Sequence, residues 1–153
     1  MKLPPTIVVG TAGEHLVCAD LISHGYFAFL TSAGLPYDVI ADVDGILLRI
    51  QVKSTMAPKP RKRPNLSIGR PVYIFNFPNK KSCDIVACVA LDIKAIGYIA
   101  AADCCTKIDL DGPGERIYPN AKGQKSGCRK FESLSLAIAV ERFRSFNSSD
   151  TRW

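Results

Sequence analysis

Asp38, Gln51 and Lys53 stand at a spacing that a tight hairpin would turn into a chemical cluster. Between the first two lies Asp44-Gly45, a strong signal for a two-residue β-turn, flanked by the strand-like runs Asp38 to Val43 and Ile46 to Ser54. With Asp44 and Gly45 as the central turn residues, Val43 faces Ile46 and Asp38 falls opposite Gln51. Val39, Ala41, Val43, Ile46, Leu48, Ile50 and Val52 then share one wholly apolar face, which must be the core side. Asp38, Gln51 and Lys53 share the other. A slip of one residue would put Asp38 among the apolar side chains, so the pattern itself supports this register. A carboxylate, an amide oxygen and an ammonium at the open end of a hairpin suit phosphodiester hydrolysis. A divalent cation takes hard oxygen ligands such as Asp38 and Gln51 and polarises the scissile phosphate; Lys53 stabilises the charge that develops.

A second acid comes from the preceding helix. Thr11-Ala-Gly-Glu14 reads as a helix start, with Thr11 as the cap and Glu14 at the capping-box position. Leu16, Val17, Leu21 and Ile22 recur at helical spacing, and Gly25 marks the stop. Glu14 has two readings at this point: half of a capping box, or a further ligand for the cation. Beyond the helix, Tyr26 to Leu30 reads as a short strand and Thr31 to Tyr37 as a loop. Val72 to Phe77 and Asp84 to Leu91 read as strands, Tyr98 to Ala102 as an edge strand, and Ser133 to Phe146 as a helix. The order predicts an α/β domain, a mixed β-sheet core flanked by helices, occupying residues 1–147 with a polar tail at 148–153.

The charge is segregated. Residues 1–50 carry two basic and five acidic side chains, a net of −3; residues 51–100 carry nine and two, a net of +7; the remainder is +2. The excess concentrates in a loop near 56–71, where Lys59, Arg61, Lys62, Arg63 and Arg70 stand among prolines that keep it out of helix and sheet interiors. A second basic loop near 112–130 carries Lys122 and Lys125 among glycines. Two basic segments on one body are what phosphate contacts along a duplex need, although such runs also occur simply as solvated loops. With 153 residues, 47% of them hydrophobic, and a mean hydropathy of +0.08, the chain can bury a core, which excludes a wholly disordered protein. The longest apolar runs, such as Ile85 to Leu91, fall short of the roughly 20 residues that span a bilayer, and Met1 to Gly10 does not read as a secretory signal. The six cysteines form no C-x-x-C pair and read mostly as small, buried, reduced residues rather than a zinc site.

Gly10-x-x-Gly13-Glu14, Tyr37-Asp38 and Ile50-Gln51-Val52-Lys53 together resemble the PD-(D/E)xK nuclease superfamily. Gln51 departs from the acid that most members hold at that place. In this and in its opening motif the chain is similar to the homing endonucleases of that superfamily encoded in cyanobacterial group I introns. The resemblance implies a restriction-endonuclease-like fold and the catalytic set Glu14, Asp38, Gln51 and Lys53, with Glu14, Asp38 and Gln51 holding Mg²⁺, for which Mn²⁺ can substitute. It implies double-stranded DNA as substrate, a homo-oligomer (dimer or tetramer), and a bacterial cytoplasmic, nucleoid-associated setting. DNA contacts would then fall to Lys59, Arg61, Lys62, Arg63, Arg70, Lys80, Lys81, Lys122 and Lys125. Two alternatives stay open: a structure-selective nuclease resembling Holliday-junction resolvases, and a DNA-binding protein that Gln51 has left without catalysis.

Overall fold

The computed structural model describes residues 5–60, 71–78, 82–111 and 129–149. Its first element is helix α1, Thr6–Ser23, which begins six residues earlier than the capping signal predicts. Pro5 occupies the N-cap with extended backbone and no side-chain cap, so Thr11 lies inside the helix and caps nothing. The capping-box reading of Glu14 is therefore overturned. Thr6, Ile7, Val8 and Val9 are β-branched and poor intrinsic helix formers, and Gly10 is worse; Thr6, Ile7 and Val8 are exposed, and α1 joins the apolar core on the sheet only from Leu16 onward. Gly25 ends the helix as expected. At φ +88 it hydrogen-bonds Ile22, while Tyr26 N–H reaches back to Leu21, the paired bonds of a Schellman stop.

The main sheet has five strands: β1 (Phe27–Leu30), β2 (Val39–Val43), β3 (Ile46–Thr55), and, after β4 (Lys59–Pro60) and β5 (Pro71–Asn76) have left for a second sheet, β6 (Ile85–Ala90) and β7 (Ala95–Ala100). Their order is β1-β2-β3-β6-β7, antiparallel except where β3 and β6 run parallel. The hairpin has the expected register, Val43 opposite Ile46 and Val39 opposite Ile50. Asp44 and Gly45 adopt φ +54 and +81, the left-handed values a type I′ turn requires. Val39, Ala41, Val43, Leu48, Ile50 and Val52 are buried; Ile46, nearest the turn, is only partly so.

Two layers cover the sheet. On the Val52 face lie α1 and α2 (Leu136–Ser149), with Val17, Leu21, Ala139 and Val140 packed onto β2, β3 and β6. On the other face lies the second sheet, ordered β4-β5-β8-β9 with β8 at Lys107–Asp111 and β9 at Arg129–Lys130. There Tyr73, Phe75 and Phe77 meet Val86, Cys88, Ile99 and Phe131. β6 is thus buried on both faces, which is why it reads Ile-Val-Ala-Cys-Val-Ala without alternation. The mixed sheet core expected from sequence is present, but Val72–Phe77 belongs to a second sheet beside it, and β8 escaped notice because its Lys-Ile-Asp-Leu-Asp alternation is short and acidic. Lys59 and Pro60 form a short edge strand, where proline costs no ladder bond. Cys18, Cys83, Cys88 and Cys104 are buried; Cys105 is exposed.

Among the described residues α1 is the one helix long and apolar enough to cross a membrane. Sequence reading expects none. Within the fold Val17 and Leu21 have no exposure at all and serve as core, whereas Ile7, Val8 and Ile22 are exposed.

Candidate active site

β3 is twice as long as β2, and past Ile50 its β2-side edge has no strand partner. Asp38 stands where β2 departs. Its N–H donates to the Ile50 carbonyl (2.9 Å), so Asp38 and Val39 both address Ile50 in the manner of a β-bulge. This corrects the expectation that Asp38 lies directly opposite Gln51. Its carboxylate instead accepts from the Val52 N–H at 2.7 Å, satisfying the first free donor of the exposed edge and fixing one oxygen. Asp38 is thereby held by backbone on both sides.

Gly13 brings the helix in. A Cβ at this position would sit 1.7 Å from Ser54 Oγ and 2.8 Å from Ser54 Cβ, so only glycine permits this approach of α1 to β3. Gly10, one turn earlier, has open space where its Cβ would be. The contact places α1 on the face of Val52 and Ser54, while Gln51 and Lys53 point from the opposite face. The two sets meet at the free edge. Glu14, Asp38, Gln51 and Lys53 all line one cleft of about 280 Å³, with Thr6, Gly10, Leu35, Pro36 and Ser54 on its rim and walls.

The electrostatics of the cleft are those of a site short of positive charge. The Glu14 carboxyl is raised above its ordinary value, first by burial, then by the neighbouring Asp38 carboxylate, with His15 partly opposing. A raised folded-state value means that the unfolded chain ionises first. As pH climbs from about 4.5 through the Glu14 value, the fold loses stability, and the loss is complete above it. Glu14→Gln therefore raises the melting temperature of the cation-free protein at pH 7 and leaves it little changed near pH 3.5. A Glu14→Gln melt no higher than wild type at pH 7 would show that the cleft carries no such strain.

Among the described residues Gln51 Oε1 and Ser54 Oγ are buried and find no hydrogen-bond partner. Unsatisfied buried oxygens are costly and uncommon. Two carboxylates and an orphaned amide oxygen are the hard donors that Mg²⁺ or Mn²⁺ accepts, so the residues present fit such an ion. Among the described residues no group of three His, Cys, Asp or Glu side chains could hold a metal, because the third donor here is an amide. Lys53 lines the same cleft, and no ion pair engages its ammonium among the described residues. Beyond the cleft, Asp84 grips Arg49 with both carboxylate oxygens (2.8 and 3.0 Å) and accepts its backbone N–H, clamping the entry of β6 against β3.

Of the proposed DNA contacts, Lys59 is exposed on β4. Arg61, Lys62, Arg63, Arg70, Lys80, Lys81, Lys122 and Lys125 lie outside the described residues. Sequence reading missed Ser54 and the steric role of Gly13, though a Gly beside Glu14 on a strand-facing helix was a usable signal.

A mixed five-stranded sheet with helices on one face, a small second sheet on the other, and a polar cleft at the splayed end of its hairpin define an α/β fold. A solved structure described as that of a bacterial homing endonuclease, I-Ssp6803I, shares the fold: the match covers 98% of this chain and 100% of that one at a TM-score of 0.61 and 14% identity. No family model and no curated protein matches the chain by sequence.

Proposed function

We propose that this chain is a site-specific endonuclease for double-stranded DNA, dependent on a divalent cation, with a PD-(D/E)xK-type site in which Gln51 replaces the usual acid. The convergence of Glu14, Asp38, Gln51 and Lys53 in one cleft, with Gln51 Oε1 left unpaired, carries this reading. The fold shared with a homing endonuclease supports DNA as the substrate. Glu14, Asp38 and Gln51 would hold Mg²⁺ or Mn²⁺, which when bound polarises the scissile phosphate and acidifies the attacking water. Asp38 is oriented for this by the Val52 N–H, and Glu14 by the close seating of α1. Lys53 places its ammonium beside the phosphate and offsets the negative charge that grows as the nucleophile enters. One chain presents one such cleft, so cutting both strands of a duplex calls for a homo-oligomer.

Incubation with supercoiled plasmid, a linear duplex library and a four-way junction, with and without Mg²⁺ or Mn²⁺, tests the proposal. The expected result is cation-dependent cutting of particular duplex sequences. Preferential cutting of the junction would make the protein structure-selective. Salt-sensitive binding without cutting in either metal would make it a DNA-binding protein alone.

The basic arm gives a separate expectation. Replacing Lys59, Arg61, Lys62 and Arg63 by Ala flattens the plot of log affinity against log salt by about 0.9 for each phosphate that is no longer neutralised. An unchanged slope would take the arm off the DNA.

A further inference from the structure

β1 ends the five-stranded sheet, and among the described residues nothing pairs with its outer side. Edge strands are ordinarily guarded by a charge, a proline or a bulge. Phe27-Ala-Phe-Leu30 has none of these. Phe27 is 72% exposed and Phe29 62%, side by side on the face away from α1; Leu47 (69%) lies on the same face two strands in, with Asp42 between it and Phe27. Register explains the grouping: Phe27 pairs Asp42, which pairs Leu47, and Phe29 pairs Ile40. An apolar hollow of about 330 Å³ runs along the same edge, between Ile22, Tyr26 and the two phenylalanines.

The two-residue turn makes Val43 and Ile46 a hydrogen-bonded pair, so Val39, Ala41 and Val43 direct their backbone toward β3. Ile40 and Asp42 then address β1, meeting Phe29 and Phe27. The Thr31 N–H bond to the Asp38 carbonyl (3.0 Å) continues the same alternation. Ala28 and Leu30 are left with N–H and C=O pointing outward, and the Tyr26 carbonyl joins them.

We propose that this edge is the docking surface for a second copy of the chain, which joins β1 antiparallel to β1 about a two-fold axis through Ala28. In that register Ala28 exchanges both its bonds with Ala28 of the second copy, and Leu30 N–H donates to its Tyr26 carbonyl. Phe27 falls opposite Phe29 of the second copy as a non-hydrogen-bonded pair, the closer type, twice over. The strand is therefore complementary to itself in backbone and side chains alike. The occupant is a second copy rather than nucleic acid because no Lys or Arg occurs between Lys2 and Arg49. Residues 1–50 hold a net of −3, so the excess positive charge of the chain is carried by other segments. The inference deepens the proposed function by naming a surface for the homo-oligomer which that reading calls for, and it does not depend on the cation chemistry of the cleft.

Sedimentation equilibrium on the full chain tests it with two variants. Phe29→Lys puts a charge opposite Phe27 of the second copy; Ala28→Pro deletes an outward N–H while leaving every bond to β2 intact. Wild type is expected to be associated at tens of micromolar, and both variants shifted toward monomer with their thermal unfolding preserved. A monomeric wild type would overturn the proposal. So would two folded variants that associate as wild type does, or a Phe29→Lys that weakens DNA binding without changing the oligomeric state.

Discussion

Lys53→Ala is expected to abolish cutting while the protein stays folded and keeps most of its affinity for DNA. The side chain lines the cleft, and among the described residues its ammonium joins no ion pair that would hold the fold together. Its loss therefore falls on the reaction. Removing one preorganised charge-stabilising group from such a site typically costs about 10²–10³-fold in rate. Single-turnover cleavage of a plasmid beside a binding titration separates the two effects. Equal loss of rate and affinity would make Lys53 a DNA contact and no more.

Gly13→Ala is expected to damage stability and site together. The new methyl would meet Ser54 Oγ at 1.7 Å, with the Ser54 Cβ behind it. Because the obstacle includes the root of the side chain, α1 must lift from β3, and overpacking of this sort costs roughly 1–3 kcal/mol. Glu14 is the next residue and leaves the cleft with the helix. Gly10→Ala is the control. It meets open space, and replacing a mid-helix glycine gains roughly 0.5–1 kcal/mol. Urea unfolding of both variants checks the contrast; equal stabilities would refute the tight helix–strand contact.

The hairpin was legible because three independent signals coincide there: the Asp44-Gly45 turn, the period of two, and an apolar face from Val39 to Val52. The cleft residues Gln51 and Lys53 follow from that register. Asp38 was misplaced by one position because a bulge, which re-aims its backbone to Ile50, leaves no mark in the pattern. The start of α1 was hidden by β-branched residues and Gly10, whose weak helix preference masks the first turn and a half. The second sheet was hidden for a different reason. β5 and β8 pair across more than thirty residues of chain, a long-range choice that local periodicity does not encode.

A cation held jointly by Glu14, Asp38 and Gln51 is what the proposed chemistry requires above all. Calorimetric titration of the DNA-free protein with Mn²⁺, wild type against Asp38→Asn, addresses this without any need to know the target sequence. Saturable binding by wild type that weakens sharply in Asp38→Asn, and that strengthens with rising pH as Glu14 ionises, is the expected result. Absent binding, or the same binding in both proteins, would contradict the shared cation site.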